Sequence, residues 1–113
     1  MTRVRIYFHS GFEPPPAKPG APRQPYLDRC IMDVGFEAKT STPAPKGTTV
    51  ALVQADGLVH IEIRPLQDQR PADIYSPMIE GDMQFIIGAD WTVSVLEVGA
   101  VADIPFDLPE AAQ

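Results

Sequence analysis

The sequence predicts an all-β domain: a small antiparallel sandwich or barrel of about six strands, with a long proline-rich arm. Three observations lead there. Apolar residues recur at every second position in several stretches, the period of a strand with one buried face. Eight glycines and 13 prolines in 113 residues interrupt the chain too often for a helix of useful length. Glycine-containing turn signals fall between the alternating stretches at hairpin distances.

The first strand is Thr2–His9, TRVRIYFH. Val4, Ile6 and Phe8 share one face, while Arg3, Arg5, Tyr7 and His9 share the other, so the strand has one face in the core and one solvated. Residues 14–25, PPPAKPGAPRQP, hold six prolines in twelve positions. Proline fixes φ and lacks an N–H, which excludes helix and central strand. The expectation is an extended, polyproline-like arm reaching about 35–40 Å. It would lie outside the core and contact another chain, and its removal would leave a folded body. Pro14, Pro15, Pro16, Lys18, Pro19, Pro22 and Arg23 are its candidate partner-binding residues.

Residues 26–34, YLDRCIMDV, read as a strand whose frame of Tyr26, Cys30, Met32 and Val34 is broken by Asp28. Residues 35–47 read as a polar connection with turn chemistry at Pro43, Pro45 and Lys46-Gly47. Residues 48–64 read as a hairpin closed by Asp56-Gly57, a strong two-residue turn signal. That closure puts Val50, Leu52, Val59, Ile61 and Ile63 on the apolar face, with Thr49, Ala51, His60, Glu62 and Arg64 on the other. Residues 66–77 are irregular, with one helical turn allowed at PADIY, and Glu80-Gly81-Asp82 reads as a turn. Residues 83–98, MQFIIGADWTVSVLEV, read as a second hairpin closed over Gly88, Ala89 and Asp90. It pairs Ile87 with Trp91, Phe85 with Val93 and Met83 with Val95. In residues 99–113 Pro105 and Pro109 forbid a long helix. Ile104, Phe106 and Leu108 alternate there and are candidates for a short edge strand or for binding a neighbour. The predicted core is Val4, Ile6, Phe8, Leu52, Ile61, Ile63, Phe85, Ile87, Trp91, Val93 and Val95.

The length fits a single domain, 1–113, able to bury a core without metal or disulfide help. The one cysteine, Cys30, reads as a half-buried hydrophobe. No apolar run approaches a membrane span and no signal peptide is visible, so the expectation is a soluble protein made in the cytoplasm. Charge is divided unevenly. Residues 1–70 carry all nine basic residues against seven acids, a net of +2, and residues 71–113 carry eight acids and no base, a net of −8. That balance argues against nucleic acid, which requires a basic face, and for docking onto a protein partner.

Chemistry-bearing patterns are sparse. His9 and His60 are far apart in sequence, and Cys30 is the sole candidate thiol, so no Cys-His nucleophile is expected. Glu80, Asp82 and Asp90 are better read as turn residues than as a carboxylate pair or calcium loop. Trp91 is assigned to core packing ahead of a binding role. The expected function is non-catalytic, with no cofactor and no metal. It is that of a structural or interaction protein in a homo- or hetero-oligomeric assembly with other protein subunits. Small β-proteins with such arms look like virion accessory proteins, of the capsid-decoration (cement) or tail-connection kind, which adds incorporation into a virus particle as an expectation. This is a likeness of architecture and rests on no motif. The alternatives are an acidic β-domain inhibitor of a basic partner, or a module binding a small ligand or peptide.

Overall fold

A computed structural model describes residues 1–14 and 16–98. Within them the chain forms one antiparallel sheet of six strands, nearly closed like a barrel. The strands are β1 (Thr2–His9), β2 (Asp28–Val34), β3 (Lys39–Thr40), β4 (Val50–Pro65), β5 (Met78–Ile86) and β6 (Trp91–Glu97). The order is β2-β1-β4-β6-β3, and β5 pairs with β4 off this path.

β4 organises the sheet. Its first half pairs with β1 (Val4 opposite Ala55, His9 opposite Val50), and its second half pairs with β6 (Val59 opposite Glu97, Pro65 opposite Trp91). β5 runs beside both halves. Both predicted hairpins are therefore corrected. Asp56-Gly57 lies inside a continuous sixteen-residue strand, and β5 and β6 are neighbours of β4 instead of each other. The reason is local. A two-residue hairpin turn of the Asp-Gly type needs positive φ, and Gly57 does not have it. The ladder between β4 and β5 instead shifts register between Ala55 and Val59, opposite Gly81 and Ile79. Gly81, predicted to sit in a turn, lies within β5 at φ 78°. The two glycine-bearing bends stand beside one another across the ladder, so both strands bend at the same place. That is how a sheet turns a corner toward closure.

A paired substitution checks this. Gly57→Ala should change stability by less than about 0.5 kcal/mol, because its φ is ordinary and the added Cβ meets Thr2 at 3.4 Å. Gly81→Ala should cost about 1 kcal/mol or more, because only glycine holds that φ without strain. Urea unfolding reads both, and the reverse ranking would restore the Asp56-Gly57 turn.

Because β4 is continuous, the inward frame of Val59 and Ile61 runs on through Ala55, Val53 and Ala51. Ala51, Val53 and Ala55 are buried and Leu52 is only half-buried, so the first half of β4 is one residue out of the predicted frame. Val4, Ile6 and Phe8 of β1 are fully buried as expected, joined by Met32 and Val34 of β2, Ile61 of β4, and Val93 and Val95 of β6. Ile87 is buried, while Ile63, Phe85 and Trp91 pack partly buried against this core. Cys30 is half-buried there too. Gly88 lies under the Trp91 indole, where a Cβ would come within 3.0 Å of Nε1.

The connection from residue 35 to 47 is more ordered than its composition implies. It contains β3, and residues 41–44 continue along β6: Ser41 N–H donates to Val93 O, and Ala44 N–H to Trp91 O. Pro43 and Pro45 are compatible because neither N–H is needed. On the solvent side Arg3 and Asp33, partners across β1 and β2, hydrogen-bond at 3.0 Å. That bond holds the Asp33 carboxyl below its ordinary range. Both groups are about half exposed, so the pair adds little stability.

Candidate functional site

The predicted proline arm is a loop folded onto its own domain. Glu13 N–H donates to Ala21 O and Arg23 N–H to Gly11 O, and Phe12 and Pro22 form an isolated antiparallel bridge. The prolines fall where no N–H is called for, and the intervening residues supply the donors, so a proline-rich sequence closes a short β-like loop in place of an extended rod. The loop is fastened at two further points. The His9 ring, 1% exposed, is bonded through Nδ1 to Arg23 O at 2.8 Å. A carbonyl only accepts, so Nδ1 carries the proton. Gln84 Nε2 donates to Gly20 O at 2.9 Å. The expectation of an arm reaching away from the body is thereby corrected: Pro14, Pro16, Lys18, Pro19, Pro22 and Arg23 all belong to this folded loop. Pro15 and the tail candidates Ile104, Phe106 and Leu108 lie outside the described residues.

Two surfaces have the makings of a site. The first is the outer face of β1, β4 and β5 beneath the loop. Tyr7, Leu52 and Gln84 form one cross-strand row, and Arg5, Gln54 and Asp82 the next. Tyr26 stacks edge-on against Tyr7, with ring centroids 5.2 Å apart. Adjoining hollows run from Tyr26 and Gln24 across Leu52 to Gln84 and the Lys18–Pro22 wall. Tyr26 was expected in the inward frame of β2, but it precedes that strand and lies outside.

The second surface is β5. Among the described residues its only strand neighbour is β4, so its other edge is unpaired. Its inward frame is set by Met83 opposite Val53 and Phe85 opposite Ala51, and its outward frame by Asp82 opposite Gln54 and Gln84 opposite Leu52. The inward frame is incompletely covered. A cleft of about 460 Å³ opens there, lined by Ile61, Ile63, Pro77, Met78, Met83 and Phe85 among others. Met78, Met83 and Ile86 are 57%, 46% and 74% exposed, unusual for three apolar residues of one strand. Ile74 and Tyr75, just before it, are also exposed. Glu80 and Asp82 make no ion pair among the described residues. Sequence reasoning missed this edge because it spent Glu80-Gly81-Asp82 on a turn and paired the rest of β5 with β6.

The remaining candidates take structural positions. His60, predicted on the face turned to water or a partner, is 7% exposed and bonded through Nδ1 to Ser76 O at 2.9 Å. Ser76 Oγ is bonded to Glu62 Oε2 at 2.8 Å, and Glu62 also receives Arg64 Nε at 3.1 Å. That hydrogen bond to Glu62 raises the Arg64 guanidinium above its ordinary value. The network ties the irregular connection at residues 70–77 to β4, and the His60 ring meets the Ser76 main chain and not its hydroxyl. His9 and His60 thus keep the faces assigned to them, but each face is covered there by a loop whose carbonyl accepts from the ring. Asp90 takes φ 69° in the bend before β6, a turn role as expected. Among the described residues no three His, Cys, Asp or Glu side chains converge on a possible metal position, and no helix is long and apolar enough to cross a membrane. Comparison with protein-family models, curated proteins and solved structures returns no match.

Proposed function

We propose that this protein is a non-catalytic interaction module that docks on a larger protein assembly through the β5 side of its sheet. The observation that carries the reading is the β5 edge, unpaired among the described residues, with Met78, Met83 and Ile86 exposed along it. Exposed strand edges are templates for pairing, and exposed apolar side chains beside them supply the area that pairing buries. The acidic second half of the chain supports the same face as a docking surface. A small β domain with one such edge suits a subunit that decorates or connects a larger particle, virion accessory proteins of the cement or tail-connection kind included.

Site-directed photo-crosslinking tests the reading. A full chain carrying a photoreactive residue in place of Met83, expressed in its source cell, should yield one dominant adduct that co-sediments with a large assembly. The adduct yield should fall severalfold as salt rises, because exposed charge pairs are screened within ~10 Å at 0.1 M. A photoreactive residue at Glu37, on the connection that carries β3, should give little. No adduct at Met83, or equal adducts at both positions, would reject docking through β5.

A second reading, a small-ligand or peptide site, is favoured by the outer-face hollow, where Tyr7, Tyr26, Gln24 and Gln54 offer ring edges beside amide donors and acceptors.

A further inference from the structure

The structure points to a specific occupant for the β5 edge: an extended partner segment in which apolar and basic residues alternate, added to the sheet as a further strand. This inference rests on the docking reading above and names the partner's chemistry. Residues along β5 alternate between faces, and the two faces differ in kind. Met83 and Phe85 look toward the apolar cleft they share with Ile61 and Ile63. Asp82 and Gln84 look outward, with Ile86 beyond them in the same frame opposite Val50, and no described base pairs with Asp82 or with Glu80 two residues before it. A strand laid beside β5 has the same period of two. Its side chains on the inner side would continue the apolar floor, and those on the outer side would stand next to the acids. Cross-strand neighbours of opposite charge are favoured and like charges opposed are not, so the outer positions that face Glu80 and Asp82 call for lysine or arginine.

A second copy of this chain meets the requirement poorly. An antiparallel β5–β5 pair centred near Asp82 brings the acids of one copy against those of the other. The bend at Gly81, at φ 78°, also interrupts a flat self-complementary edge. The residues after the bend, 82–86, form the continuous part of the strand on which a partner segment would register. The chain itself has no base between residues 71 and 113, so the complementary charge has to come from outside this half of the molecule.

The experiment uses the full chain and three acetylated, amidated nonapeptides: one alternating valine and lysine, one alternating valine and glutamate, and one of valine and lysine in blocks. Fluorescence anisotropy should show the Val/Lys alternating peptide binding at least tenfold tighter than either of the others. Nitrogen-15 NMR should place its largest shifts at residues 82–86. The surface variant Glu80→Lys/Asp82→Lys should reverse the preference toward the Val/Glu peptide while keeping the wild-type spectrum elsewhere. Equal binding of the alternating peptides, or a preference untouched by the charge reversal, would overturn the inference. So would a β5-mediated dimer seen by light scattering. The same variant separates this inference from the reading beneath it. If the Met83 crosslink in cells is lost in Glu80→Lys/Asp82→Lys while no peptide shows a preference, docking stands and the alternating strand falls. If the crosslink survives the reversal unchanged, the acids have no part in docking and the basic partner falls with them.

Discussion

Val53→Asp will prevent folding, and Leu52→Asp will not. Val53 is fully buried on β4 between Ile6 and Met83, its partners on the flanking strands. A carboxylate there has no base beside it in the core cluster, and burying it costs several kcal/mol whether it ionises or takes up a proton. Total stability for a domain of this size is about 5–15 kcal/mol, so most of the margin disappears. Leu52 sits between Tyr7 and Gln84 on the half-open outer face, and the same change there should cost about 1 kcal/mol or less. Circular dichroism and amide dispersion distinguish the outcomes directly. A folded Val53→Asp beside an unfolded Leu52→Asp would return β4 to the frame that a hairpin at Asp56-Gly57 demands.

Replacing residues 15–24 by two glycines will lower the melting temperature by about 10–20 °C. The loop holds the acceptor for the buried His9 ring, and Leu27 N–H, just beyond it, donates to Phe8 O at the end of β1. Leaving a buried donor unpaired costs about 1–3 kcal/mol, and each kcal/mol moves the midpoint by roughly 4–8 °C in a domain near this size. A change of less than about 3 °C would show that the loop is dispensable to the fold. His9→Phe within the intact loop gives a second measure, since it removes the donor without shortening the chain.

These two changes mark where sequence was readable and where it was not. β1 was legible in its bounds and its inward face because its alternation is clean and nothing in it competes with a strand, while the loop over His9 was not. Antiparallel character and the approximate strand number followed from the same period. The failures have one source, that turn rules are local. Asp56-Gly57 and Gly81 carry the composition of turns, but the strands they sit in are paired on either side of them, and tertiary pairing turned both into bends. Side-chain size then misled the frame, since Leu52 is a larger hydrophobe than Ala51 and so was given the core. The proline loop was misread for a related reason: proline has no N–H to donate, but that places no limit on the N–H groups of Ala21, Arg23 or Gln24. The candidate docking edge was half legible. Its acids showed in the uneven charge of the chain. Its apolar exposure did not, because an exposed methionine and a buried one look alike in sequence.

Having β4 shared by both halves of the sheet also governs how the fold is reached. The closest partners in any of its ladders, His60 and Met78, are eighteen residues apart in sequence, so no ladder can begin as a tight local hairpin. Loop-closure entropy has to be met before the first long-range pairing repays it. The chain therefore belongs with β proteins that fold in milliseconds to seconds instead of microseconds. During that interval β4, rich in valine, isoleucine and leucine, has neither flank covered, and pairing between unfolded chains competes with pairing inside one. Yield on refolding should fall as protein concentration rises, and a break between residues 55 and 59 would part the β1 side of the sheet from the β6 side, with β5 the strand left to join them.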